Sequence, residues 1–302
     1  MSVFSKRYVG YGAVMLSALF FALISQLTKI AYNNGMTPLQ LLTLQSGTAA
    51  LLLLGYTALF NRVALRMPAG MIPKLLAHAL LGSLATNVLY AVALLYLPAS
   101  MGTMLLFTYP ILVTLGAIVF FQEKVKAAQL FALAVAVVGT MLSTQFWQIS
   151  RESLEFKGIL LGLGSALAYS FFNLYGEHIL NKIEPLTSLT YIQLFSALSL
   201  VLYQLPAYLS GQAVLVDNST QLVIGVSLGT VASIVPFWLL LIGIKHIGSS
   251  KASIIGTLEL PAVFVLSSVF LHEQFSVWQV AGAVLILVSI MMVRLGDFKS
   301  RK

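Results

Sequence analysis

The chain has 302 residues, 59% of them hydrophobic and 9% charged, with a mean hydropathy of +0.95 and a formal net charge of +8. A soluble globule carries roughly a quarter charged residues, so this composition excludes one and calls for lipid as solvent. With no Cys in the sequence, disulfides and thiolate metal sites are excluded as well.

Apolar blocks of about 20 residues, long enough to cross a ~30 Å hydrocarbon core as helices, run through 9–31, 38–60, 71–95, 99–121 and 127–147. Five more follow at 158–180, 186–209, 221–244, 250–271 and 276–295. They predict an all-α membrane protein of ten transmembrane helices. The first block starts two residues after Lys6 and Arg7, but its length and the nine spans behind it predict a retained span, not a cleaved signal. Of the 17 Lys and Arg residues, Lys29, Arg151 and Lys157 fall on one side of this topology and the other 14 on the side of the termini. That split predicts cytoplasmic termini. It makes the positive charge a topology signal, with no nucleic acid expected as a partner.

The segment Val119 Phe120 Phe121 Gln122 Glu123, with a block closing Val138 Gly139 Thr140 Met141 Leu142, recurs 150 residues later. There it reads Val269 Phe270 Leu271 His272 Glu273 and Val288 Ser289 Ile290 Met291 Met292. Residues 1–147 and 158–295 are therefore expected to form two five-helix repeats. Five is odd, so the second enters the membrane from the opposite side and the repeats are inverted, with a substrate site expected where the halves meet.

In the third span Ser83, Thr86, Asn87 and Tyr90 are spaced three and four apart and share one stripe. In the sixth, Ser165, Tyr169, Asn173 and Gly176 do likewise, extended by Phe172, and a local offset of 148 maps the four onto Ser17, Phe21, Ser25 and Thr28 of the first span. Both stripes are expected to face the pseudo-twofold axis. Any single hydroxyl is as well explained by an interhelical hydrogen bond worth about 1 kcal/mol or less, whereas Asn87 and Tyr90 together point to a cavity. Lys29 is expected to snorkel at the outer end of its helix, and Glu177 and His178 to make structural contacts at the cytoplasmic rim. His78 reads as an interfacial residue with its hydrogen bonds met. His272 and Glu273 lack the second His of a zinc motif.

Pro110, Pro236 and Pro261 cannot donate to the carbonyls of Leu106, Ala232 and Thr257, which makes them candidate hinges or simple kinks. Of the nine acids, Glu259 alone falls at mid-span, about 13 Å into a helix starting near 250 at 1.5 Å per residue. It reads as a proton carrier or cation site, or else as a permanently protonated side chain bonded to a neighbouring helix. The aromatics Phe107, Tyr109, Phe237 and Trp238 fall near the prolines, placed either to contact an amphipathic substrate or simply to pack. No Gly-x-x-x-x-Gly-Lys run supports a nucleotide-driven pump. Glu259 has no acidic mate for catalysis, so no enzyme activity and no cofactor are expected.

The motif Ile244 Lys245 His246 Ile247 Gly248 Ser249 Ser250 Lys251 Ala252, followed by Leu258 Glu259 Leu260 Pro261, Glu273 and Ala281 Gly282 Ala283, resembles the ten-span, EamA-type transporters of the drug/metabolite transporter superfamily. A looser copy stands in Tyr96 Leu97 Pro98 Ala99 Ser100, Tyr109 Pro110, Glu123 and Gly139. The resemblance implies a secondary carrier whose halves rock around a cavity lined by spans one, three, four, six, eight and nine. The Glu before Pro261 has no counterpart beside Pro110, where Tyr109 stands, so the halves differ chemically. Because both halves are present, one chain is expected to suffice, with membrane lipids and a small-molecule substrate as partners. No Lys or Arg falls at mid-span to balance phosphate. The expected cargo is therefore a neutral or zwitterionic metabolite, such as an amino acid or derivative, exported across the plasma membrane. A lipophilic cation exchanged for protons is the alternative, with a pore or lipid scramblase behind it.

Overall fold

The structure is a computed structural model and describes residues 3–148, 155–212, 214–271 and 275–299. The first half contains α1 (Val3–Asn33), α2 (Pro38–Phe60), α3 (Ile72–Ala77), α4 (Ala85–Ala93), α5 (Ala99–Leu106), α6 (Tyr109–Phe121) and α7 (Ala127–Thr144). The second contains α8 (Phe156–Leu180), α9 (Pro185–Leu209), α10 (Ser219–Gly229), α11 (Val235–Ile247), α12 (Ser249–Gly256), α13 (Glu259–Leu271) and α14 (Val277–Lys299). A π-helical stretch, His78–Leu84, joins α3 to α4 into the third span, and another, Thr230–Ile234, joins α10 to α11 into the eighth. The fourth span is α5 with α6 and the ninth is α12 with α13. Among the described residues there is no strand, and the ten spans coincide with the apolar blocks to within a few residues at most ends. The expectations for Arg151, His272 and Glu273 fall outside the described residues.

Local chemistry sets the helix starts. Thr37 and Gln40 form a capping box with Pro38 in the first turn of α2, Ser276 and Gln279 exchange the same two bonds at α14, and Asn218 caps α10. Large apolar side chains such as Leu51, Phe60, Phe120 and Leu209 are exposed on the outside, as a bundle solvated by hydrocarbon requires.

Hydrogen bonds between span ends establish the inversion. On one face the Gln221 side chain, at the start of the eighth span, donates to the Asn34 carbonyl after the first. On that face Lys157, opening the sixth, donates to the Tyr96 hydroxyl after the third, and Gln145, closing the fifth, donates to Ser276 ahead of the tenth. On the opposite face Gly10 near the start of α1 packs against His246 and Ile247 at the end of α11, and Glu177 near the end of α8 meets the start of α12. The first half thus begins on one face and the second half on the other.

Each span finds its main partner in the other half. α7 packs on α14 and α2 on α9, while α1 on α11 is matched by α8 on α4, and α1 on α12 and α13 by α8 on α5 and α6. These pairs exchange under one twofold axis. Glutamine side chains bolt several of the contacts: Gln26 to Ser267 at 2.8 Å, Gln129 to Ser250 at 2.6 Å and Gln204 to Thr43 at 2.5 Å. In lipid such bonds and close backbone approach replace the hydrophobic drive. One close backbone approach lies where α7 crosses α14 at Gly139 and Gly282. A Cβ on Gly282 would lie 2.5 Å from the Gly139 carbonyl oxygen and 2.6 Å from the Ser143 nitrogen.

Candidate functional site

Four spans are interrupted near their middles, in symmetric pairs. The π stretch Thr230–Ile234 corresponds to residues 80–84 of the other stretch through the 150-residue offset. Pro236 follows the first of these and leaves the Ala232 carbonyl without its helical donor. Its equivalent is Thr86, whose hydroxyl donates to the Gly82 carbonyl at 2.7 Å. The fourth span breaks at residues 107–108 and the ninth at 257–258. Each second segment then begins, with Tyr109 and Glu259 in the same position and Pro110 and Pro261 just behind.

Glu259 is half-buried. The phenols of Tyr90, Tyr109 and Tyr169 all lie within reach of its charge, and among the described residues no lysine or arginine pairs with it. The Tyr109 hydroxyl donates to the Ser253 carbonyl at 3.1 Å in space left by Gly256, where a Cβ would stand 2.6 Å from that oxygen. The Tyr90 hydroxyl bonds Thr103 at 2.9 Å. From Tyr109 a line of aromatic contacts crosses the bundle. Its ring centroid lies 5.9 Å from Phe107 and 4.6 Å from Tyr169. Tyr169 stacks on Phe172 at 6.0 Å, Phe172 meets Phe237 at 5.6 Å, and Phe237 meets Phe21 at 4.9 Å. Spans one, three, four, six, eight and nine each contribute a side chain to this region. A cationic group brought to this carboxylate would meet phenols and further aromatic surface nearby.

The remaining residues singled out in the sequence are placed differently. Asn173 and Phe172 are fully buried. The Asn173 amide donates to the Tyr169 carbonyl at 2.8 Å, while its Oδ1 has no hydrogen-bond partner among the described residues. Trp238 is 41% exposed on the outside of α11, so the structure removes it from the aromatic line: its neighbour Phe237 takes the inward face, and successive helical residues point about 100° apart. His78 is not interfacial but fully buried, stacked on Phe172 at 4.6 Å with Nε2 2.8 Å from the Phe172 carbonyl and no partner for Nδ1 among the described residues. Glu177 accepts from the Ser249 amide at 2.7 Å, capping α12 from another span, and Lys245 pairs with Glu184 at 2.9 Å on the same face.

A narrow cleft, with an enclosed space of about 20 Å³, lies between spans two, three, seven and eight. Its polar wall includes Gln45, Ser83, Asn87, Gln193, Ser196 and Ser233, and Phe237 closes one side. Ser83 and Ser233 are equivalent through the offset of 150, as are Asn87 and Phe237, so the cleft straddles the axis. Sequence reasoning missed the contribution of the second and seventh spans. The signal was present in Gln45 and Gln193, which are 148 residues apart, the same offset that relates spans one and six.

A family model for EamA-like transporters matches residues 8–145 and again residues 156–295. The uncharacterized transporter sll1319 of Synechocystis is 23% identical over 206 residues, 68% of this chain; the alignment spans 62% of that relative. The uncharacterized transporter YyaM of Bacillus subtilis is 25% identical over 221 residues, covering 70% of each chain. An uncharacterized transporter of Archaeoglobus fulgidus is 24% identical over 233 residues, 74% of this chain and 77% of the relative. A protein crystal structure 16% identical in sequence superposes over 100% of both chains with a TM-score of 0.77, sharing the fold.

Proposed function

Because the chain belongs to the EamA-like transporter family, we propose that this multi-pass membrane transporter works as a secondary carrier of small zwitterionic metabolites. Amino acids or their derivatives are the cargo, moved outward across the plasma membrane. The observation that carries the reading is a lone carboxylate, Glu259, at the start of a broken mid-span helix, with Tyr90, Tyr109 and Tyr169 within range of its charge. That setting suits an ammonium group and repels phosphate. The matched interruptions in spans three, four, eight and nine supply points about which two halves rock, with Pro110, Pro236 and Pro261 beside them. Both sides of the chamber come from one chain, so one chain suffices.

Uptake of labelled neutral amino acids, a quaternary ammonium ion and a nucleotide sugar into liposomes holding the purified protein tests the assignment. Amino-acid uptake above the other two is expected, and preferential nucleotide-sugar exchange sinks it. The aromatic line beside Glu259 favours one second reading, a lipophilic cation exchanged for protons, which dominant uptake of the quaternary ion would establish.

Both termini are cytoplasmic in this reading, on the face that carries 14 of the 17 Lys and Arg residues. The Cys-free chain accepts single cysteines for labelling. A cysteine at 34 and one at 248 should react from opposite sides of the membrane, and labelling of both from one side overturns this topology.

A further inference from the structure

We propose that the cleft between spans two, three, seven and eight is a second subsite that binds an uncharged hydroxyl or carboxamide group of the carried molecule. The inference rests on the carrier reading for what is carried, while the cleft's own chemistry defines the group.

Among the described residues, none that lines the cleft is charged. A charged group entering it would lose water without a counter-charge, so the fitting group is neutral. The wall offers both hydrogen-bond donors and acceptors. Ser196 lies on it, is only 4% exposed and has no hydrogen-bond partner among the described residues. Buried hydroxyls are normally satisfied, and here a ligand can supply the missing bond. Gln193 donates to the Ser233 oxygen at 2.7 Å, a bond that uses neither the Ser233 proton nor the Gln193 carbonyl oxygen. Asn87 gives its amide to the Ser83 carbonyl at 2.8 Å, leaving its own oxygen to accept. Paired donors and acceptors around a narrow space match a hydroxyl or a carboxamide.

Phe237 joins the cleft to the aromatic line. Phe237 lines the cleft and touches Phe172, which in turn stacks on Tyr169 beside Glu259. Asn87 and Tyr90 lie one turn apart on α4. The aromatic line thus runs from Tyr169 to the cleft wall at Phe237.

The test uses the S196C variant, the only cysteine in its chain, in liposomes. Its rate of modification by a small methanethiosulfonate is measured with L-threonine, L-valine, L-glutamine, L-leucine or acetamide present, and a monodisperse elution profile confirms the fold. Threonine, glutamine and acetamide should slow modification at least threefold, while valine and leucine, which lack the hydroxyl or amide, leave it unchanged. Equal protection by valine and threonine, or no protection by any probe, overturns the subsite. Protection by acetamide in a protein that takes up none of the amino acids keeps the subsite and overturns the amino-acid reading instead.

Discussion

Glu259→Gln is expected to remove the pH dependence of transport and to lower its rate by about tenfold or more, the scale of losing a charge-assisted contact of roughly 1.5–3 kcal/mol. The substitution keeps shape and hydrogen-bonding capacity but can neither carry a proton nor neutralise an ammonium. The titratable groups facing this carboxylate are the phenols of Tyr90, Tyr109 and Tyr169, whose ordinary range lies near pH 10. None of them replaces a carboxylate in the neutral range. Initial uptake rates between pH 5.5 and 8.5, normalised to folded protein, decide the matter. A variant with the wild-type rate and pH profile reduces Glu259 to a structural hydrogen bond between helices.

Gly282→Ala should destabilise the protein by about 1–3 kcal/mol, the usual cost of forcing a methyl into a filled contact. The new Cβ would meet the backbone of α7, at the Gly139 carbonyl oxygen and the Ser143 nitrogen. Backbone atoms of a helix cannot rotate out of the way, so α7 and α14 must separate. Gly12→Ala on α1 is the control, since nothing stands within 4 Å of a Cβ there. Heating in detergent followed by size-exclusion chromatography should show Gly282→Ala leaving the monodisperse peak several degrees below both the parent and Gly12→Ala. Equal melting of the two variants would mean that the crossing is looser than this geometry.

Ten spans and their inversion were legible because hydrocarbon imposes a length and a polarity that a sequence displays directly, and because Glu123 and Val138 recur 150 residues on as Glu273 and Val288. Glu259 stood out for the same reason, as the lone mid-span acid. The π stretch at His78–Leu84 was not legible: unlike its counterpart before Pro236, it carries no proline, and a Thr86 hydroxyl meeting a carbonyl leaves no mark in sequence. Trp238 misled because nearness to Pro236 along the chain says nothing about helix face, which the packing of Phe237 against Phe21 and Phe172 decides. Gln45 and Gln193 were overlooked because each alone reads as an ordinary polar residue. Their pairing appears only when the repeat offset is carried through every span.

The exchange of partners between halves also bears on how the protein is made. α1 waits for α11, α2 for α9, α4, α5 and α6 for α8, and α7 for α14, so the five inserted spans lack their main partners until the rest of the chain leaves the ribosome. At about 5–20 residues per second, that interval is on the order of ten seconds. During it Ser83, Asn87 and Gln129 face lipid or whatever insertion factor shields them. Nascent chains stalled near residue 150 should therefore be prime targets for membrane proteases, and supplying residues 155–302 as a separate polypeptide should rescue them.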